Sequence, residues 1–137
     1  MAENVIRVTL PGGSLVDATF KGFTFRTDQP AYAGGTNTAP SPFDLFLASL
    51  ATCAGFYVLS FCQERKIPAD GITLSMTMER PPQSRLITRI AIVIALPASF
   101  PAKYKDAVVR AADQCTVKAH MADPPAFDIT ATIAGIP

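Results

Sequence analysis

Charge is scarce in this chain. Lys, Arg, Asp and Glu make up 17% of its 137 residues, against about 25% in an average soluble domain. Apolar residues make up 49%. A small domain of this composition leaves apolar surface uncovered, and the expected remedy is an oligomer that turns it into an interface. The formal net charge is +1 and no basic cluster interrupts the sequence, which speaks against nucleic acid and anionic membrane surfaces as partners. Histidine occurs once, as His120, and cysteine three times, as Cys53, Cys62 and Cys115. No C-x2-C or H-x3-H spacing joins them, so a zinc reading is rejected and no metal or cofactor is expected. A cysteine protease would need His120 beside a thiol with an orienting partner, and no flanking signature supports one.

The first residues, Met1-Ala2-Glu3-Asn4-Val5-Ile6-Arg7, lack the charged start and apolar stretch of an export signal. With three cysteines and no such signal, a stapled secreted scaffold is not expected. The chain reads as cytoplasmic, with free thiols. The run 45–62 is apolar enough to raise a transmembrane question. Ala48, Ser49, Ala51, Thr52, Ala54, Gly55 and Ser60 dilute it, and a buried core helix is the better reading.

At 137 residues the chain reads as one domain, 1–137. Val5, Arg7 and Thr9 alternate with Ile6, Val8 and Leu10, as in a strand. Pro11-Gly12-Gly13 turns the chain, and residues 14–20 and 22–27 predict two further strands of a meander. The loop 28–40 is long enough to be functional. Ser41 has the chemistry of an N-cap, with Pro42 at the first helical position and Asp44 as the capping acid, so a helix is expected from there to about Arg65. Lys66-Ile67-Pro68 ends it. Strands are expected over 72–80 and 86–96, a second helix from Pro101 to about His120, and a last strand over 126–133. Strands, helix, strands, helix, strand describe an α+β domain.

Helix geometry sorts the thiols. At 100° per residue, Phe46, Leu50, Cys53 and Tyr57 share a face, and Cys62 points about 180° from Cys53. The two are separated by about 13 Å of helical rise, beyond the span of a disulfide. Cys115 escapes this restriction, since tertiary packing can bring it anywhere. Buried cysteine is by default an apolar filler, and Cys62 is read that way.

The stretch Pro40-Ser41-Pro42-Phe43-Asp44-Leu45-Phe46-Leu47-Ala48-Ser49-Leu50-Ala51-Thr52-Cys53 resembles the first cysteine motif of the OsmC/Ohr family, the osmotically inducible and organic hydroperoxide resistance proteins. Ala112-Asp113-Gln114-Cys115-Thr116-Val117-Lys118 is similar to the second. The two lie in the family's order and separation, so the resemblance spans nearly the whole chain, and it is closer to the OsmC-like branch than to Ohr. It implies an intertwined homodimer in which curved antiparallel sheets wrap around two long central helices. It also implies a thiol-dependent peroxidase that reduces organic hydroperoxides, with Cys53 the peroxidatic and Cys115 the resolving thiol. An external dithiol then reduces the disulfide.

Peroxidatic members of the family activate the first cysteine with an arginine held by a glutamate ten residues before it. Phe43 occupies that position here. Arg26 is the candidate for the arginine, with Arg7 second. Lys118, one turn beyond Cys115, is a candidate cation for that sulfur, against a solvated side chain, and His120 reads as a helix C-terminal or interface residue. Cys53 lies about three turns into its own helix, outside the reach of that helix's N-terminal dipole. Phe43 keeps a second reading open: a non-catalytic dimer that binds a small molecule or senses redox state.

Overall fold

The computed structural model describes residues 4–136. The chain divides into two compact units, the first ending at Ser49 and the second beginning at Leu50.

The first unit is built on an antiparallel meander of β1 (Arg7–Gly12), β2 (Leu15–Phe20) and β3 (Phe23–Thr27). The three expected strands form within two residues of their predicted limits. Gly12 and Gly13, with φ of 147° and 57°, take the turn between the first two, a region open to glycine. Asp17 stands directly opposite Arg26 across β2 and β3. Its carboxylate accepts from Nε and a terminal nitrogen of that arginine, both at 2.8 Å.

Asp28 closes the loop that follows. It is 1% exposed, and one carboxylate oxygen accepts the N–H of Gln29 at 2.8 Å. The other accepts the N–H and hydroxyl of Thr36 and the N–H and hydroxyl of Thr38. The Asp28 N–H donates to the carbonyl of Pro40 at 3.1 Å. One buried carboxylate thus ties both ends of the 28–40 segment together. Gly35 is required in it, because a Cβ there would collide with the Gln29 carbonyl.

Helix α1 runs from Pro42 to Glu64. Ser41 Oγ accepts the Asp44 N–H at 3.2 Å, satisfying one of the free donors of the first turn. The helix stops in a Schellman arrangement. The Ile67 N–H reaches the Cys62 carbonyl and the Lys66 N–H the Gln63 carbonyl, with Lys66 left-handed at φ 56°. Pro68 follows. The helix is long and apolar enough to cross a membrane, yet Leu50, Ala54, Val58, Phe61 and Cys62 form a buried stripe along it.

In the second unit that stripe meets the core. Val58, Phe61 and Cys62 pack with Phe100 and Val108, flanked by Ile72, Leu74, Ile94 and Leu96. The last four come from or adjoin the antiparallel hairpin of β4 (Thr73–Glu79) and β5 (Arg89–Ala95). Tyr104 meets the Phe61 ring edge-on at 5.8 Å, and the Arg65 guanidinium lies over the Phe61 ring, 3.7 Å from its centroid.

Two expectations are corrected in this unit. The helix expected from 101 to 120 is broken. A 3-10 turn at Ala102–Tyr104 leads into α2 (Lys105–Ala112), the chain leaves helical geometry at Cys115, and α3 (Thr116–Ala122) starts afresh. Asp113, Cys115 and β-branched Thr116 are all weak helix formers, and together they give the break its opportunity. The strand expected over 126–133 does not form a ladder; a single bridge, Ile133 to Ile136, is present. Phe127 and Ile129 are 80% and 93% exposed, so an apolar alternation is there without a partner strand among the described residues.

Thr38, first with its N–H and then its hydroxyl, and next the Gln29 N–H hold the Asp28 carboxyl far below the usual carboxylate range. Because the folded value lies below the unfolded one, its contribution to stability is complete above about pH 4 and is lost as pH falls from there. Asp28→Asn is therefore expected to lower stability at neutral pH, with the gap to the parent narrowing below about pH 4. Urea melts across that range check it.

Candidate active site

Three thiols, identical as side chains, meet three different environments. Cys62 is fully buried in the core, and burial pushes its thiol up, with Arg65 opposing only in part. No hydroperoxide reaches it. Cys53 is half-buried on α1 and Cys115 is buried at the break between α2 and α3. These two lie close enough for each to shift the other's proton affinity.

The break organises both sulfurs. Cys115 has φ −52° and ψ 120° and caps α3, its Sγ accepting the Lys118 N–H at 3.4 Å. The two preceding N–H groups of the new turn, those of Thr116 and Val117, lie near enough to the Cys53 sulfur to favour its charged form. Burial pushes the Cys53 thiol up, but the Val117 N–H, the Cys115 thiol and the Thr116 N–H outweigh it and hold Cys53 below the ordinary thiol value. Cys115 moves the other way: burial raises it, and its hydrogen bond to Cys53 adds to that, against the Lys118 N–H. Loss of a proton is thus eased at Cys53 and opposed at Cys115, and an unlike pair of this kind suits attack followed by condensation.

The fold brings together the two cysteines of the motifs, but the groups around them are not the ones that residue types suggest. Cys53 does lie far from the start of its own helix; the start of another helix serves it. A single helix over 101–120 would have left no such N–H groups free. The signal for them was Asp113-Gln114-Cys115-Thr116, in which Asp113, Cys115 and Thr116 are poorly suited to a helix interior. Lys118 aids Cys115 through its backbone N–H, while its ammonium pairs with Asp113. His120 sits in the last turn of α3 with Nδ1 2.8 Å from the Thr116 carbonyl. Tyr57, which sequence reasoning placed only on the face of Cys53, shares a 2.9 Å hydrogen bond with the Thr116 hydroxyl. Arg26 is held on the meander by Asp17. Phe43 stacks on Phe46 with ring centroids 5.7 Å apart.

Cys115 also lines a cleft of about 650 Å³ in the second unit. Its walls are mainly apolar, from Leu50, Ile90, Ile92, Ile94, Val109 and Met121. Among the described residues, no group of three or more His, Cys, Asp or Glu is placed to hold a metal ion.

The family model of the OsmC-like protein matches residues 35–130, a span that includes both cysteine motifs. The chain belongs to the OsmC-like family. Solved structures agree on the α+β fold. A Psychrobacter arcticus protein described as osmotic stress induced and of detoxification response superposes with a TM-score of 0.71 at 24% identity, over 83% of this chain and 85% of that one. An organic hydroperoxide resistance protein from Legionella pneumophila gives 0.55 at 16% identity, over 85% and 87%. The organic hydroperoxide resistance protein OhrB of Bacillus subtilis gives 0.50 at 24% identity, over 85% and 90%. No curated protein matches the chain by sequence.

The thiols should differ in reactivity as their surroundings differ. Brief treatment of the folded, reduced protein with iodoacetamide at pH 7 is expected to alkylate Cys53 first, by about tenfold or more over Cys62. Peptide mapping against time reads the order.

Proposed function

We propose that the protein is a thiol-dependent peroxidase that reduces organic hydroperoxides, acting as a cytoplasmic homodimer regenerated by an external dithiol. The observation that carries this is the first turn of α3 beside both sulfurs, where Cys115 Sγ accepts the Lys118 N–H and the surroundings lower the Cys53 thiol while raising that of Cys115.

The Cys53 thiolate attacks the distal oxygen of ROOH. The O–O bond breaks, an S–O bond forms, and the alkoxide takes a proton from solvent to leave as ROH. Sulfur is thereby oxidised to sulfenic acid. Cys115 then attacks that sulfur, the S–S bond forms, and the hydroxyl leaves as water. An external dithiol reduces the bridge by exchange and becomes a disulfide itself. The N–H groups of Thr116 and Val117 hold the attacking sulfur without forming any bond in the reaction. Arg26, fixed on both sides by Asp17, is the candidate for a further cation at Cys53. An apolar R group suits the cleft that Cys115 lines.

The dimer is supported by uncovered apolar surface. Leu10 is 78% exposed, Phe23 68% and Phe56 59%, more than a small monomer commonly tolerates. Light scattering at micromolar concentration is expected to give twice the chain mass; the chain mass itself would count against a dimer.

Phe43, where peroxidatic relatives have glutamate, favours a second reading, a redox-sensing or small-molecule-binding dimer with little turnover. Cumene hydroperoxide discriminates. One equivalent is expected to produce a Cys53–Cys115 bridge with Cys62 free, and a dithiol should sustain turnover. Cys115→Ser should still consume one equivalent and give a dimedone adduct on Cys53, whereas Cys53→Ser should consume none. An adduct on Cys115 alone would reverse the two roles, and no adduct on either would favour the second reading.

A further inference from the structure

The short helix α3 has no buried residue of its own, so packing of its body does little to fix where its first turn points. Two features tie that turn to α1: the buried Cys115, and the hydrogen bond between the Tyr57 hydroxyl and Thr116 Oγ1. Thr116 is bifunctional in position. Its hydroxyl meets Tyr57 at 2.9 Å and its N–H lies near enough to the Cys53 sulfur to favour its charged form. Tyr57 lies four residues after Cys53 on α1, so the same helix face carries the sulfur and the tether.

We propose that Tyr57 and Thr116 are a positioning pair whose hydroxyl–hydroxyl hydrogen bond seats the first turn of α3 on the Cys53 sulfur. The inference deepens the peroxidase reading, on which its relevance to turnover rests, by naming residues of this chain that take up the work of presenting donors to the thiolate. Neither residue touches the reacting oxygen. Their effect passes through the Thr116 and Val117 N–H groups, which need the turn to be held at the right height along α1. Loss of either hydroxyl removes one of these two ties.

The titratable groups surrounding the pair are the two thiols, His120 with Nδ1 on the Thr116 carbonyl, and the Lys118–Asp113 ion pair. The test therefore follows Cys53 itself: peptide-resolved iodoacetamide alkylation of the reduced full-length protein from pH 5 to 10, without peroxide (about the range over which protein thiols titrate). Tyr57→Phe and Thr116→Val are expected to move the Cys53 midpoint upward and to slow its alkylation at neutral pH about three- to tenfold, the effect of one hydrogen bond. Thr116→Ser, which keeps the hydroxyl, should match the parent. The same shift in a His120→Gln background would assign it to the pair and not to the imidazole. Melting temperatures accompany each variant, and Tyr57→Phe, which keeps the ring, decides the matter if Thr116→Val does not fold. An unchanged midpoint in Tyr57→Phe overturns the pair. Peroxide consumption by the parent is scored separately: its absence would overturn the peroxidase reading alone, because the alkylation midpoint does not depend on peroxide.

Discussion

The surroundings of Cys53 and Cys115 hang on a failure to remain helical. Between Ala112 and Thr116 the backbone leaves α2 and begins again as α3, and a new helix start means a new set of unpaired N–H groups. Had the helix continued, those N–H groups would have bonded to carbonyls one turn back. Released, they act on two sulfurs: the Lys118 N–H bonds to Cys115, that of Thr116 favours charge on Cys53, and that of Val117 lowers both. The pair of unlike thiols is thus created by one interruption of secondary structure. The same interruption turns Cys115 from a helix-interior residue into a cap, and caps are where a sulfur can be both buried and hydrogen-bonded.

Much of the fold was legible because its local signals agreed. Ser41, Pro42 and the apolar run behind them announce α1, and Lys66-Ile67-Pro68 its end, so the 23-residue helix stands within a residue of its expected limits. The meander was equally open, since alternation and glycine turns need no distant partner to be recognised. The break at 113–115 was not, because apolar residues recur at helical spacing on both sides of it, and only weak propensities mark the gap. The 126–133 stretch fails for the opposite reason. Its alternation is a real strand pattern, but a ladder needs a neighbouring strand as well as a pattern, and Phe127 and Ile129 stand exposed without one among the described residues.

The site was half legible for a related reason. The motifs single out Cys53 and Cys115, and the face geometry of α1 separates Cys62 from Cys53 by residue spacing alone. How a thiolate is held is a tertiary matter, and residue types suggest cations first. Lys118 carries a positive charge, yet it serves Cys115 through a group that every residue but proline possesses. Backbone donors leave no trace in composition. Asp28 makes the same point in the meander unit, where a carboxylate in an ordinary loop sequence gathers five donors from three residues.

Reactivity among the three thiols then follows from what each loses and gains on folding. All three lose water, and desolvation by itself disfavours the charged sulfur everywhere. Cys62 gains only a partial compensation from Arg65 and stays a core filler. Cys115 gains the Lys118 N–H and, more weakly, that of Val117, but burial and the neighbouring Cys53 sulfur outweigh them, so the proton is better kept there. Cys53 gains two N–H groups and a thiol donor, and it alone is moved toward the thiolate. The asymmetry is self-consistent: a proton kept on Cys115 supplies the third donor to Cys53, and negative charge on Cys53 is what keeps that proton on Cys115. Whatever fixes the first turn of α3 therefore sets both thiols at once, which is why a single hydroxyl contact from Tyr57 has leverage over the pair that its distance from the reacting atoms would not suggest.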